Sequence, residues 1–118
     1  MARYDHLSVY QDVYDLNLYF FKLSRGFPKD FKYGLAGEVK TLMSELLDQI
    51  IIANNAPDKA GELKKASLIV ERIKIKGRML HDLKVMGLKS YEYFFEKLIA
   101  ISKQIKKWSA WARKDTSK

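Results

Sequence analysis

Apolar residues recur along this chain at alternating steps of three and four, in four separate blocks. That period places them on one face of an α-helix and does not fit the two-residue alternation of a half-buried strand. In the first block Val9, Val13, Leu16, Phe20, Leu23 and Phe27 follow one another at steps of four, three, four, three and four. The second block is Leu35, Val39, Leu42, Met43, Leu46, Leu47 and Ile50. The third is Leu63, Ala66, Val70, Ile73, Gly77, Leu80 and Leu83. The fourth is Tyr91, Phe95, Leu98, Ser102, Ile105, Trp108 and Ala112. The β-branched run Ile50-Ile51-Ile52 continues a helical stripe and lacks the alternation of a strand.

Helix breakers and caps separate the blocks. Ser8 is placed to cap the first helix, with Gln11 at the capping-box position and Leu7 as a hydrophobic staple. Gly26, in the left-handed conformation, and Pro28 end that helix. The second ends near Asn54-Asn55, before Pro57. Asp58 caps the third, Gly87 ends it, and Ser90 caps the fourth. The predicted helices span about 8–26, 32–55, 58–86 and 90–113. Residues 1–7 form a short arm, and the tail from Lys114 to Lys118 frays. Gly77 lies inside the third stripe, where a missing side chain permits close approach of a neighbour at a propensity cost of about 1 kcal/mol. Short loops make successive helices antiparallel. The fold class is therefore all-α, an up-down-up-down four-helix bundle, and 118 residues suit one domain over 1–118.

Apolar and aromatic residues also lie outside these stripes: Tyr10, Tyr14, Leu18, Tyr19 and Phe21 in the first helix, Ile51 and Ile52 in the second, Leu68 and Ile69 in the third, and Tyr93, Phe94, Ile99 and Ile101 in the fourth. A second apolar face predicts a second interface, here between subunits. The other reading is that wide stripes fill one broad core.

The formal charge is +8, which attracts polyanions. The third helix carries eight cations (Lys59, Lys64, Lys65, Arg72, Lys74, Lys76, Arg78 and Lys84) against the four carboxylates Asp58, Glu62, Glu71 and Asp82. The fourth helix and tail carry seven (Lys97, Lys103, Lys106, Lys107, Arg113, Lys114 and Lys118) against Glu92, Glu96 and Asp115. The first half is nearly balanced. Lys103, Lys107, Trp111 and Lys114 follow at four, four and three, a row in which cations would meet phosphates and Trp111 could stack a base. Single lysines on outer helix faces are ordinarily solvated, and a terminal Trp ordinarily seals a core. The asymmetry as a whole points to RNA or DNA, met by Arg72, Lys74, Lys76, Arg78, Lys103, Lys106, Lys107, Trp111, Arg113 and Lys114.

Catalytic constellations are missing. Cysteine is absent, and the two histidines, His6 and His81, have no metal-ligand spacing. Glu38, Glu45, Asp48, Glu71 and Asp82 occur at helical spacing with basic partners, not as an isolated acid pair. Gly34-Leu35-Ala36-Gly37 is too short for a phosphate loop and lacks the following Lys-Ser/Thr. The sequence thus predicts a binding protein with no catalytic residue, metal or cofactor. No stretch approaches a membrane span of ~20 apolar residues, and the polar start lacks a signal-peptide core. The expected location is cytoplasmic.

Four segments resemble the accessory variability determinants of diversity-generating retroelements: Tyr4-Asp5-His6-Leu7-Ser8-Val9-Tyr10, Lys32-Tyr33-Gly34-Leu35-Ala36-Gly37-Glu38-Val39-Lys40, Ala53-Asn54-Asn55-Ala56-Pro57-Asp58-Lys59, and Ser90-Tyr91-Glu92-Tyr93. Phe27-Pro28 and Tyr33-Gly34-Leu35 are also similar to the four-helix proteins encoded in intervening sequences of 23S ribosomal RNA genes. Those proteins usually continue with an Asn-Ile-Ala-Glu-Gly type segment, from which Ile52-Ala53-Asn54-Asn55-Ala56-Pro57 departs. The first resemblance implies a four-helix bundle assembling into a homopentameric barrel with a basic surface. It also implies binding to the element's reverse transcriptase and to nucleic acid, in support of copying template RNA into mutagenised cDNA. It assigns no nucleic-acid contact to a particular residue. A ribosomal intervening-sequence protein, or a protein-only scaffold that docks an acidic partner, are the alternatives.

Overall fold

The computed structural model describes residues 7–116. The arm before Leu7, including His6, and the last two residues of the tail lie outside this range. The described chain is all helical: α1 (Ser8–Ser24), α2 (Lys29–Tyr33), α3 (Leu35–Asn55), α4 (Lys59–Asp82) and α5 (Leu88–Thr116). The four long helices form an antiparallel bundle about 51 Å long and 20–21 Å across. α1 packs on α3 and α5, and α4 packs on the same two helices, so α1 and α4 lie diagonally opposite. Asp12 accepts from Gln104 at 2.6 Å while Tyr19 meets Tyr93 at 4.6 Å, which sets α5 antiparallel to α1.

The stripes become the core. Val13, Phe20, Val39, Met43, Leu46, Ile50, Leu63 and Ile73 are fully buried, and complete burial of such a side chain stabilises by ~1.5–3 kcal/mol. A polar link deep between α1 and α3 is satisfied: Asn17 Nδ2 donates to the Met43 carbonyl at 2.9 Å. Gly77 is buried against Phe94, whose Cε2 lies 3.2 Å from where a Cβ would stand, so even a methyl group there would press on the Phe94 ring.

Several helix ends and one stripe differ from the sequence reading. Ser8 makes no cap bond, and Gln11 donates to Asp15 at 2.9 Å in place of a capping box. Gly26 keeps a negative φ, and the turn closes through ordinary bonds from Gly26 to Leu23 and from Phe27 to Ser24. The second predicted helix is divided. Pro28 caps α2, which starts at Lys29, about three residues earlier than expected, and Gly34 breaks the helix before α3. A Cβ on Gly34 would stand 2.7 Å from the Asp30 carbonyl oxygen, so only glycine fits this break. Asp58 caps α4 as read, accepting from the Gly61 N–H at 3.1 Å.

α4 ends at Asp82, ahead of Gly87. Val85 N–H reaches the Leu80 carbonyl and Lys84 N–H the His81 carbonyl, both at 2.9 Å. This is a Schellman motif, with Lys84 at φ 63° in the position glycine normally fills. Leu83 leaves the stripe and is exposed. α5 begins at Leu88, so Ser90 lies within the helix, and it continues to Thr116 where fraying was expected. Phe94 and Ile101, placed outside the stripe by periodicity, are fully buried. Tyr91, Phe95 and Trp108 are only half-buried.

Candidate nucleic-acid interface

The cations of α4 point to different flanks. Lys74 pairs with Glu71 at 3.2 Å and sits 5.9 Å over the Phe95 ring of α5. Lys76, two residues on, pairs with Glu38 of α3 at 3.1 Å. Two helical steps turn the chain by more than half a revolution, which is why neighbours in sequence separate so far. Arg78 lies 3.6 Å from Asp82. Arg72 and Lys76 line a cleft of about 480 Å³ between α3 and α4, opposed there by Glu38 and Glu45. Exposed pairs of this kind stabilise little, but each carboxylate lowers the local positive potential. Arg72, Lys74, Lys76 and Arg78 therefore do not form one cationic patch.

The cations of α5 differ. Lys103, Lys106 and Lys107 are exposed, and among the described residues no carboxylate pairs with them. Arg113 and Lys114 are also exposed, and Trp111 is 56% exposed. These side chains fall into two rows. Lys103, Lys107, Trp111 and Lys114 form the outward row. Lys106, Ser109 and Arg113, at steps of three and four, share another face and line a groove against α4.

That groove has a volume of about 470 Å³. Its α4 wall is Ala60, Gly61, Lys64 and Ser67, and its α5 wall is Lys106, Ser109 and Arg113. Among the described residues three cations and two hydroxyls line it, with no carboxylate. Ala60 and Gly61 are small, which leaves the space open. Such a lining can donate several charge-assisted hydrogen bonds to one anionic group. Sequence reasoning named Lys106 and Arg113 but left out Lys64, Ser67 and Ser109. Their signal is the spacing Lys64-x-x-Ser67 opposite Lys106-x-x-Ser109, readable only with the α4–α5 register in hand.

Other charged residues have structural partners. Lys59 Nζ donates to the carbonyls of Ala53, Asn54 and Ala56 at 3.4, 2.6 and 3.2 Å, satisfying the C-terminal end of α3. Gln49 donates to the Glu62 carbonyl and carboxylate at 2.9 and 3.0 Å. That bond, with help from Lys65, holds the Glu62 carboxyl below its ordinary range. His81 Nδ1 lies 3.0 Å from the Met86 carbonyl, and its ring stacks on Tyr91 at 4.5 Å. Because a carbonyl only accepts, Nδ1 carries the proton. Among the described residues no group of three acids or histidines could hold a metal, and no helix is long and apolar enough to cross a membrane.

Comparison with curated proteins finds no match. The bAvd-like family matches residues 7–112, from the residue before α1 through most of α5. The match reaches all four long helices of the bundle and every lining residue of the basic groove except Arg113, and the chain belongs to the bAvd-like family.

Proposed function

We propose that this protein is a non-enzymatic, cytoplasmic accessory subunit of a diversity-generating retroelement. It binds the element's reverse transcriptase together with template RNA or cDNA through a basic surface, and so supports mutagenic retrohoming. The polymerase chemistry belongs to the partner. The observation that carries this reading is the bAvd-like match over residues 7–112. The exposed Lys64, Lys103, Lys106 and Lys107, which no carboxylate pairs among the described residues, support the nucleic-acid part, because electrostatic attraction to phosphates needs cations not already neutralised.

The protein works as a homopentamer in this reading. Two exposed apolar stripes support assembly. On α1, Tyr14, Leu18 and Phe21 are 42–47% exposed. On α4 and its C-cap, Leu68, Ile75, Met79 and Leu83 follow at seven, four and four and are 45–62% exposed. The stripes differ in composition and sit on diagonal helices. They suit a heterologous contact, α1 of one copy on α4 of the next, better than a two-fold one.

The test is binding of purified protein to a structured RNA and to the reverse transcriptase, with competitor RNA at physiological salt. Saturable RNA binding is expected, with a log–log salt slope of roughly −0.7 to −0.9 per phosphate neutralised. No binding of either partner overturns the reading.

A further inference from the structure

We infer that the α4–α5 groove is a discrete seat for a phosphodiester of the bound strand, distinct from the diffuse attraction of the outward row. The inference rests on the nucleic-acid reading above and adds to it the place and chemistry of recognition. Lys64 enters from one wall, and Lys106 and Arg113 from the other. A phosphodiester carries one charge over two non-bridging oxygens, which need several donors converging from different directions. Two walls of a groove supply that geometry; a single exposed helix face does not. Ser67 and Ser109 line the same groove, and their hydroxyls can donate to oxygens while adding no charge. The space of about 470 Å³ exceeds what one phosphate fills, which leaves room for the attached sugar.

Charge-matched variants separate a seat from diffuse attraction. Lys64→Gln with Lys106→Gln removes two charges from the groove. Lys103→Gln with Lys107→Gln removes two from the outward row of α5. Both pairs are exposed, and circular dichroism checks that each variant folds. Binding to a fluorescent single-stranded RNA at physiological salt is the readout. The groove variant should bind about tenfold or more weaker, as expected for lost charge-assisted hydrogen bonds. The outward variant should bind within about threefold of the parent. Ser67→Ala with Ser109→Ala, which leaves the charge unchanged, should weaken binding about fivefold.

Equal losses from the two lysine pairs, with the parent binding normally, overturn the seat and leave the nucleic-acid reading standing. Failure of the parent to bind any RNA overturns both. Poly-glutamate competing as well as RNA at equal charge overturns the phosphodiester assignment in favour of an acidic polypeptide.

Discussion

Phe94 lies against Gly77 so closely that a Cβ on the glycine would stand 3.2 Å from the ring edge. This contact sets how closely α4 approaches α5, the two helices that wall the basic groove. Gly77→Leu should lower stability by about 1–3 kcal/mol through overpacking. RNA affinity should fall with it, because the walls must part. Chemical denaturation and anisotropy on the same samples check both.

Lys84 occupies a left-handed backbone position that costs an L-residue roughly 1–2 kcal/mol. Lys84→Gly should relieve part of this and raise the melting temperature by roughly 4 °C. Calorimetry of the two proteins decides it, and an unchanged or lower melting temperature would count against the Schellman turn.

Phe20 is fully buried between Phe27 and Phe94, with ring centroids 6.1 and 5.2 Å away. Phe20→Ala should cost about 3–5 kcal/mol, visible as an early unfolding midpoint in urea.

The two apolar stripes predict a mixing experiment. Leu18→Glu with Phe21→Glu spoils the α1 stripe, and Leu68→Glu with Ile75→Glu spoils the α4 stripe. Each protein alone should be monomeric by light scattering. Mixed in equal amounts they should form a heterodimer and nothing larger, because one intact α1 stripe meets one intact α4 stripe. A two-fold interface would give no such pairing.

The Glu62 carboxyl should titrate below its ordinary value of 4.5. A depressed folded pKa gives stability that is present above the unfolded value and is lost as pH falls through the folded one. Gln49→Leu removes the largest cause and should move the midpoint back upward. NMR titration of the carboxyl carbon measures it.

The bundle was legible because periodicity and burial are the same fact seen twice. Val13, Phe20, Leu46 and Ile73 stand at the expected steps and are fully buried. Asp58 caps as its side chain chemistry dictates. The fourth stripe was harder to place, because apolar residues there surround much of the helix. Tyr91, Phe94, Phe95, Leu98 and Ile101 fit more than one phase, and the packing of Phe94 against Gly77 and Phe20 selects one. The end of α4 was misplaced because a lysine holds the conformation expected of Gly87. In the groove, Lys106 and Arg113 were visible as charge, but Lys64 joins them only through packing of two helices. No single-helix pattern encodes that.

The diagonal placement of α1 and α4 has a consequence for growth. In the proposed assembly a copy docked on one stripe presents the other one bare, so no small number of copies would be self-limiting by saturation. Growth stops only when the last copy meets the first. The copy number would then be a property of bundle shape, written in the angle at which one protomer leans on the next. A substitution that alters that lean without spoiling either stripe would change the number of copies that close, or leave the particle open as a fibre.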